Sequence, residues 1–423
     1  MYNPTPPTLP FSVPLRTLSS TIKIVNFWQK AEMYSTQFLP LIVHHLKLCG
    51  IINCLPFEFD VNSKQLILTK SFRKIRIFQF QCILTVIYCI VLLFHLCFSG
   101  TLTTLQKFQG LPFFLIYILL LCCRWNVSLN ISPIQAVNSF LKFERELLPD
   151  AVNMKKSFEV QIMTLFLYLA QFSIFIIPVG TFCLLTLQPC TPPFLLSMSG
   201  KCANIHWAKE PYLMGVVLFE TWMSLHILHS GATWIFYAVF VGIVSILNYF
   251  QVLTRRLEES LTISENQNCM RMYRCIQLLE KSFNGFLMVR TIPAMVAFIP
   301  TLQIVSQYVC ITMHDEIEMP GFLVFPLMLI DSVMVNIMVF TLASWVNNIS
   351  TKFLHKLDKK IAGLRGTRKS NLRKEQVACC VLKIKFGSNF IDSGTPLVIQ
   401  NFCLTQTMSL ILIRYRNGRI GLE

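Results

Sequence analysis

Charge is what this chain has least of. Asp, Glu, Lys and Arg make up 14% of its 423 residues, acids number only 21 and histidines only eight. An ordinary soluble globule carries roughly a quarter of its residues as charges, so that class is excluded. With so few histidines there is no H-E-x-x-H and no set of His boxes, which removes zinc proteases and di-iron desaturases. A phosphate-cradling Gly loop and a Ser or Cys nucleophile with a partnered base are also missing, so no enzyme, cofactor or metal is expected. The formal charge of +16 does not imply nucleic acid, because the basic residues sit between apolar runs and form no basic–aromatic platform.

What is abundant is apolar: 54% hydrophobic residues, 35 Phe and a mean hydropathy of +0.56. Residues 1–14 carry five prolines and are expected to be disordered, without the charged start and apolar core of a secretory signal. Up to residue 76 the chain is mixed and basic, with patches such as Phe38–Leu48 suited to helices lying along a membrane surface. Charge-free spans are then expected at Ile77–Phe98, at Leu111–Cys123 if Arg124 snorkels to the interface, and at Val160–Leu187. Pro211–Leu257 is interrupted only by Gly231, too little to reverse direction, and is read as one projecting fourth helix of about 70 Å. Its Glu220, His226 and His229 are expected on a wet outer surface. Phe286–Met313, kinked by Pro293 and Pro300, and Gly321–Val346 complete six spans within 77–346. A basic linker occupies 347–390.

The seventh helix, 391–415, is expected to be capped by Thr395 with Pro396 at its first position; Pro396–Tyr415 is twenty residues, about 30 Å. Ser393, Gln400, Thr407 and Arg414 recur every seven residues, and Leu404 and Ile411 join that stripe. A polar stripe in a membrane helix faces protein or water, so helix–helix contact and a pore lining both remain open.

Orientation follows from the basic residues. Lys and Arg number 30 on one side of the spans and six on the other, with Arg290 inside a span. The imbalance implies an all-α membrane protein of seven transmembrane helices with a cytoplasmic N-terminus and an extracellular C-terminus, 416–423 forming the outer tail. A G-protein-coupled receptor would have the opposite N-terminus, an acidic-Arg-Tyr triplet after span three and Asn-Pro-x-x-Tyr in span seven. None of these is present.

Seven spans with a projecting fourth helix, a basic linker and a polar-striped last helix resemble the arthropod chemoreceptor superfamily, gustatory receptors more than odorant receptors. That family's last span carries Thr-Tyr, five mostly apolar residues, then Gln-Phe; Thr407-Met408, Ser409–Ile413 and Arg414-Tyr415 fill those positions. Gly387 and Ile391-Asp392 resemble the family's Gly-x-x-x-Leu-Asp approach, and the spacing from Asp392 fits Thr405 as well as Thr407. The resemblance implies a ligand-gated, non-selective cation channel of four like or mixed subunits in the plasma membrane of sensory neurons. Gln400, Leu404, Thr407, Ile411, Arg414 and Tyr415 would line or gate its path, and Arg414, where the family has Gln, would repel cations if it faced the pore. Membrane lipid and a small tastant or odorant are the implied partners. The ligand would meet aromatic walls in the outer half of the bundle, for which Phe113, Phe114, Tyr117, Phe175, Phe182, Trp222, Trp234, Phe322 and Phe325 are candidates. Asp331, inside span six, is expected to be paired internally or to touch ligand or ion. Cys190 and Cys202 share the outer loop and are a possible disulfide.

Overall fold

The structure is a computed structural model. It describes residues 34–420 apart from 101, 149–157, 200–201, 203–206, 208–209, 318, 320 and 364–367, so the expectation of disorder at 1–14 lies outside the described residues. Among the described residues, seven helices are long and apolar enough to cross a membrane: Phe72–Phe98, Thr104–Arg124, Met163–Leu187, Pro211–Glu259, Thr291–Thr312, Gly321–Ala362 and Thr395–Arg416. An all-α, seven-span architecture is therefore present.

Before the first span, α1 (Leu39–Ile52) leads into a hairpin of β1 (Phe57–Asp60) and β2 (Gln65–Leu68). α1 does not lie apart along a surface. It buries Ile42, His45, Leu46 and Cys49, and His45 Nε2 lies 3.0 Å from the His229 carbonyl and 2.9 Å from Thr233 Oγ1. The chain just before α1 is fastened by Glu144 of α4 (Ser132–Leu147), whose carboxylate accepts from Tyr34 N at 2.6 Å, Ser35 N at 2.8 Å and the Tyr249 hydroxyl at 2.7 Å. Burial pushes the Glu144 carboxyl up from its usual range despite these donors.

Spans one to three are α2 (Phe72–Phe98), α3 (Thr104–Arg124) and α5 (Phe158–Leu187). α3 starts earlier than hydropathy suggests because Thr103 and Gln106 form a capping box, Gln106 N donating to Thr103 Oγ1 at 3.2 Å and Thr103 N to Gln106 Oε1 at 3.0 Å. Arg124 does not snorkel. It is fully buried, with its guanidinium 2.7 Å from His226 Nδ1 and 3.5 Å from both Thr85 Oγ1 and Gln81 Oε1.

The fourth span is continuous, as its unbroken apolar pattern implies: α6 (Pro211–Ala232), a π-helical stretch (Thr233–Phe240) and α7 (Val241–Glu259). Gly231 marks a close crossing, since a side chain there would collide with Leu120 of α3. This helix is the axis of the bundle, with 94% of its apolar window buried. The expectation that Glu220, His226 and His229 sit on a wet surface is accordingly overturned; all three are buried at 1% exposure or less.

At the basic end, α8 (Ile263–Leu287) begins with a second capping box, Thr262–Glu265. α9 (Thr291–Thr312) starts later than expected, so Pro293 falls harmlessly in the first turn and only Pro300 lies inside the helix. α10 (Val324–Ala362) carries span six far beyond Val346, and the expected linker therefore begins as helix. After α11 (Arg368–Val377) the chain returns to α8, where Asn284 donates to the Lys383 carbonyl at 2.7 Å and accepts from Lys385 N at 3.0 Å. A two-residue-strand hairpin, β3 (Lys385–Phe386) and β4 (Asn389–Phe390), then leads to α12 (Thr395–Ile420). The basic charge of this region is partly matched, since Glu258 pairs with Lys356 at 2.6 Å and Arg274 with Glu375 at 4.0 Å. At the opposite end of the bundle Cys190 and Cys202 are disulfide-bonded.

Candidate functional site

α12 begins at a carboxylate. Asp392 Oδ1 accepts from Gly394 N at 3.1 Å, Thr395 N at 2.9 Å and Thr395 Oγ1 at 2.7 Å, while Thr395 Oγ1 accepts from Asp392 N at 3.1 Å, so Asp392 satisfies the first N–H groups and Thr395 holds Asp392 in return. These Thr395 bonds keep the Asp392 carboxyl below the usual aspartate range. Beyond that start, α12 is the least covered span, with 11% of its apolar window buried against 94% for the fourth. It lies at the edge of the subunit against α9 and α10.

The heptad stripe faces inward. Gln303 of α9 donates to Gln400 Oε1 at 2.9 Å, and Asn336 of α10 donates to Gln303 Oε1 at 2.7 Å, giving a chain of three amides across three helices. Thr407 is buried and donates to Gln307 Oε1 at 3.0 Å and to the Cys403 carbonyl at 2.9 Å. Ile411 packs, half-buried, on the cluster around Tyr308 and Val309, and Arg414 is ion-paired with Glu316 in the loop after α9. Gln400, Thr407, Ile411 and Arg414 thus hold α12 to α9, α10 and the loop after α9, while Leu404 and Tyr415 are exposed at 57% and 61%. Ser393 lies before the helix.

A different line of residues points away from the subunit. Asn401, Thr405, Met408 and Leu412, spaced by four, three and four, share the face opposite Cys403 and Thr407, and all four are exposed. Asn401 and Thr405 are exposed polar residues on a face they share with Met408 and Leu412, with Gln406 exposed on a neighbouring face, and such groups require a partner that lipid does not provide. Thr405 and Leu412 are also the positions of the alternative motif register.

A second constellation lies toward the disulfide end, between α2, α3 and α6. Glu220 accepts from the Tyr88 hydroxyl and from Leu195 N at 2.6 Å, the latter in the loop that carries the disulfide. Tyr88 packs edge-on to Tyr117, with centroids 5.4 Å apart, and Phe113 edge-on to Phe194 at 5.2 Å. Trp222 meets His226 at 4.5 Å. Among the aromatic candidates, Phe113 and Tyr117 therefore line this cluster, while Trp222 packs on Phe219 and His226 along α6. Phe114 is buried nearby on α3, and Phe182 is half-buried on α5. Phe325 is buried, and Phe322 packs beside it, in a separate cluster with Tyr308 and Leu115. Trp234 belongs elsewhere, against Phe57 and Phe286, and Phe175 packs on His229. Asp331 is exposed on α10 and makes no hydrogen bond or ion pair among the described residues. Tyr88, Phe194 and Glu220 were not legible as site residues: two sit in runs that read as packing, and Glu220 reads as interface.

No protein-family profile matches this sequence, and comparison with curated proteins finds no match. The fold, however, is shared with solved structures. The insect olfactory receptor OR5 from Machilis hrabei in complex with eugenol superposes with a TM-score of 0.62 at 12% identity, covering 89% of this chain and 98% of the receptor. A second structure of the same receptor superposes with a TM-score of 0.60 at 12% identity, covering 90% of this chain and 99% of the receptor. The chain thus shares the seven-helix fold of that receptor over about nine-tenths of its length.

Proposed function

We propose that this chain is one subunit of a chemosensory, ligand-gated, non-selective cation channel. The observation that carries the reading is the outward polar line of α12, Asn401 and Thr405, on the span that the rest of the subunit leaves most exposed. A cyclic assembly of four like or mixed subunits brings that line from each copy to the central axis and supplies the partner, water, that a single subunit lacks. Leu412 and Met408 then form the apolar constriction, and Leu404 and Tyr415 flank it. Arg414 raises no barrier to cations, because Glu316 neutralises it at the edge of the path. Asp331 faces a neighbouring copy or its lipid boundary.

The ligand is a small, partly apolar molecule with a hydrogen-bonding group. Its site is the Tyr88–Tyr117–Glu220 cluster with Phe113, where aromatic side chains adjoin one carboxylate and two hydroxyls. OR5 was solved with eugenol, a compound of that general chemistry. The N-terminus and basic end are cytoplasmic, the disulfide-bearing loop is extracellular, and the protein resides in the plasma membrane of sensory neurons. Currents recorded from cells expressing the chain, alone and with candidate partner subunits, test the reading against a panel of sugars, bitter compounds and volatiles. A ligand-evoked cation current that persists without G-protein activity is expected. A ligand response carried by G-protein signalling with no membrane current would overturn it.

A further inference from the structure

Away from both sites, α2, α3 and α9 leave a groove of about 530 Å³ open to the membrane face near the basic end. Its walls are apolar, with Val86, Leu121, Ala294, Ala297 and Phe298 along its length, and only one charged side chain enters it, Arg290. The small residues of α9 make the groove: Ala294 and Ala297 lie one turn apart and leave room between α3 and Phe298. The volume is within the range of sites that enclose a small organic molecule.

Arg290 is placed in an unusual position. Its guanidinium donates to the Trp125 carbonyl at the end of α3, and among the described residues it has no acidic partner. A guanidinium has five N–H donors in a fixed fork, so a single carbonyl leaves most of them unused. Arg290 is also the residue before α9, with no side-chain cap, and a cation at that point adds to the positive end of the helix dipole instead of opposing it. Two positive features thus meet at the mouth of an apolar groove, with Trp125 and Val289 exposed beside them at the level where aromatics mark a membrane interface. An anion there would satisfy both. We propose that the groove holds one acyl chain of an acidic phospholipid whose phosphate rests on Arg290. The anionic lipid of the cytoplasmic leaflet is on the same side as the basic end.

Full-length protein, purified in detergent and offered phosphatidylglycerol or phosphatidylcholine of identical chains, tests this by native mass spectrometry. Phosphatidylglycerol should be retained at one molecule per chain and about tenfold more tightly than phosphatidylcholine, the difference a charge-assisted hydrogen bond supplies. Arg290→Gln should abolish the preference, Arg290→Lys should keep part of it, and Lys70→Gln, outside the groove, should leave it unchanged. Ala297→Phe should fill the groove and lower retention of both lipids. Each variant is first checked for an unchanged unfolding midpoint in phosphatidylcholine; if Arg290→Gln fails there, Arg290→Lys and Ala297→Phe decide. Equal retention of the two lipids by the wild type, an unaltered preference in Arg290→Gln, or normal retention by Ala297→Phe would overturn the proposal. Displacement of the lipid by inorganic phosphate alone would likewise overturn it, by making this a phosphate site.

Discussion

Replacing Gln303 by Leu should loosen α12 more than its single side chain suggests. Gln303 accepts from Asn336 at 2.7 Å and donates to Gln400 at 2.9 Å, so the change deletes two hydrogen bonds and leaves two amides facing an apolar interior. Interhelical hydrogen bonds in membranes are worth about 0.6 kcal/mol on average, whereas each orphaned buried polar group adds about 1–3 kcal/mol. A loss of about 2–3 kcal/mol is expected, because Gln400 is only half-buried and recovers part of its hydration. Gln400→Leu alone should lose about 1 kcal/mol. The double variant should fall short of the sum by about 1 kcal/mol, since Gln400 has nothing to pair with once Gln303 is gone. Unfolding titrations of the four proteins in mixed micelles measure this cycle. Additivity within about 0.3 kcal/mol would refute the amide chain as the fastening of α12.

Asp392→Ala should destabilise the start of α12 by about 1 kcal/mol, the usual worth of such a cap, and raise hydrogen exchange at Gly394 and Thr395. Because the folded carboxyl is held below its unfolded value, this contribution is fully present above the ordinary aspartate range and lost as pH falls through the folded value; protection at these amides that grows on acidification would contradict it. Glu316→Gln should free Arg414 and reduce cation current, while the exchanged pair Glu316→Arg with Arg414→Glu restores it; current unchanged by Glu316→Gln would show that Arg414 lies clear of the path. Gly231→Val should lower the yield of folded protein, because the added side chain meets Leu120, and Leu120→Ala should rescue part of it; full yield from Gly231→Val would mean that α3 and α6 do not cross closely there.

The spans were legible because hydropathy reports long apolar runs directly. The continuity of the fourth followed from the absence of any polar residue able to turn the chain at Gly231. Charges inside the bundle were not legible. Arg124 and Glu220 stand near the ends of apolar runs, where a charge ordinarily reaches interface water. Their actual partners, His226 and Tyr88, are more than a hundred residues away in sequence. The last helix shows the same limit. A heptad repeat identifies Gln400, Thr407 and Arg414 as one face, but the acceptors and acid that decide its direction are Gln303, Gln307 and Glu316 on another helix and loop. The outward line of Asn401 and Thr405 was invisible beside it, because two polar residues one turn apart, interleaved with Gln400, Gln406 and Thr407, carry no periodic signal of their own. The N-terminal segment was misjudged for a related reason: the donors that bind Glu144 are backbone N–H groups of residues 34 and 35, and these leave no trace in side-chain composition.

The central claim is that the outward face of α12, with Asn401, Thr405 and Leu412, borders the ion path and that Gln400 and Thr407 of the heptad stripe do not. Single cysteines at Asn401, Thr405, Thr407 and Leu412, treated with a charged thiol reagent during ligand-evoked current, test it directly. Thr405→Cys and Leu412→Cys should be modified and block the current, Asn401→Cys should react when the channel is open, and Thr407→Cys, buried against Gln307, should remain silent. Rapid block at Thr407→Cys with none at Thr405→Cys or Leu412→Cys would contradict the account.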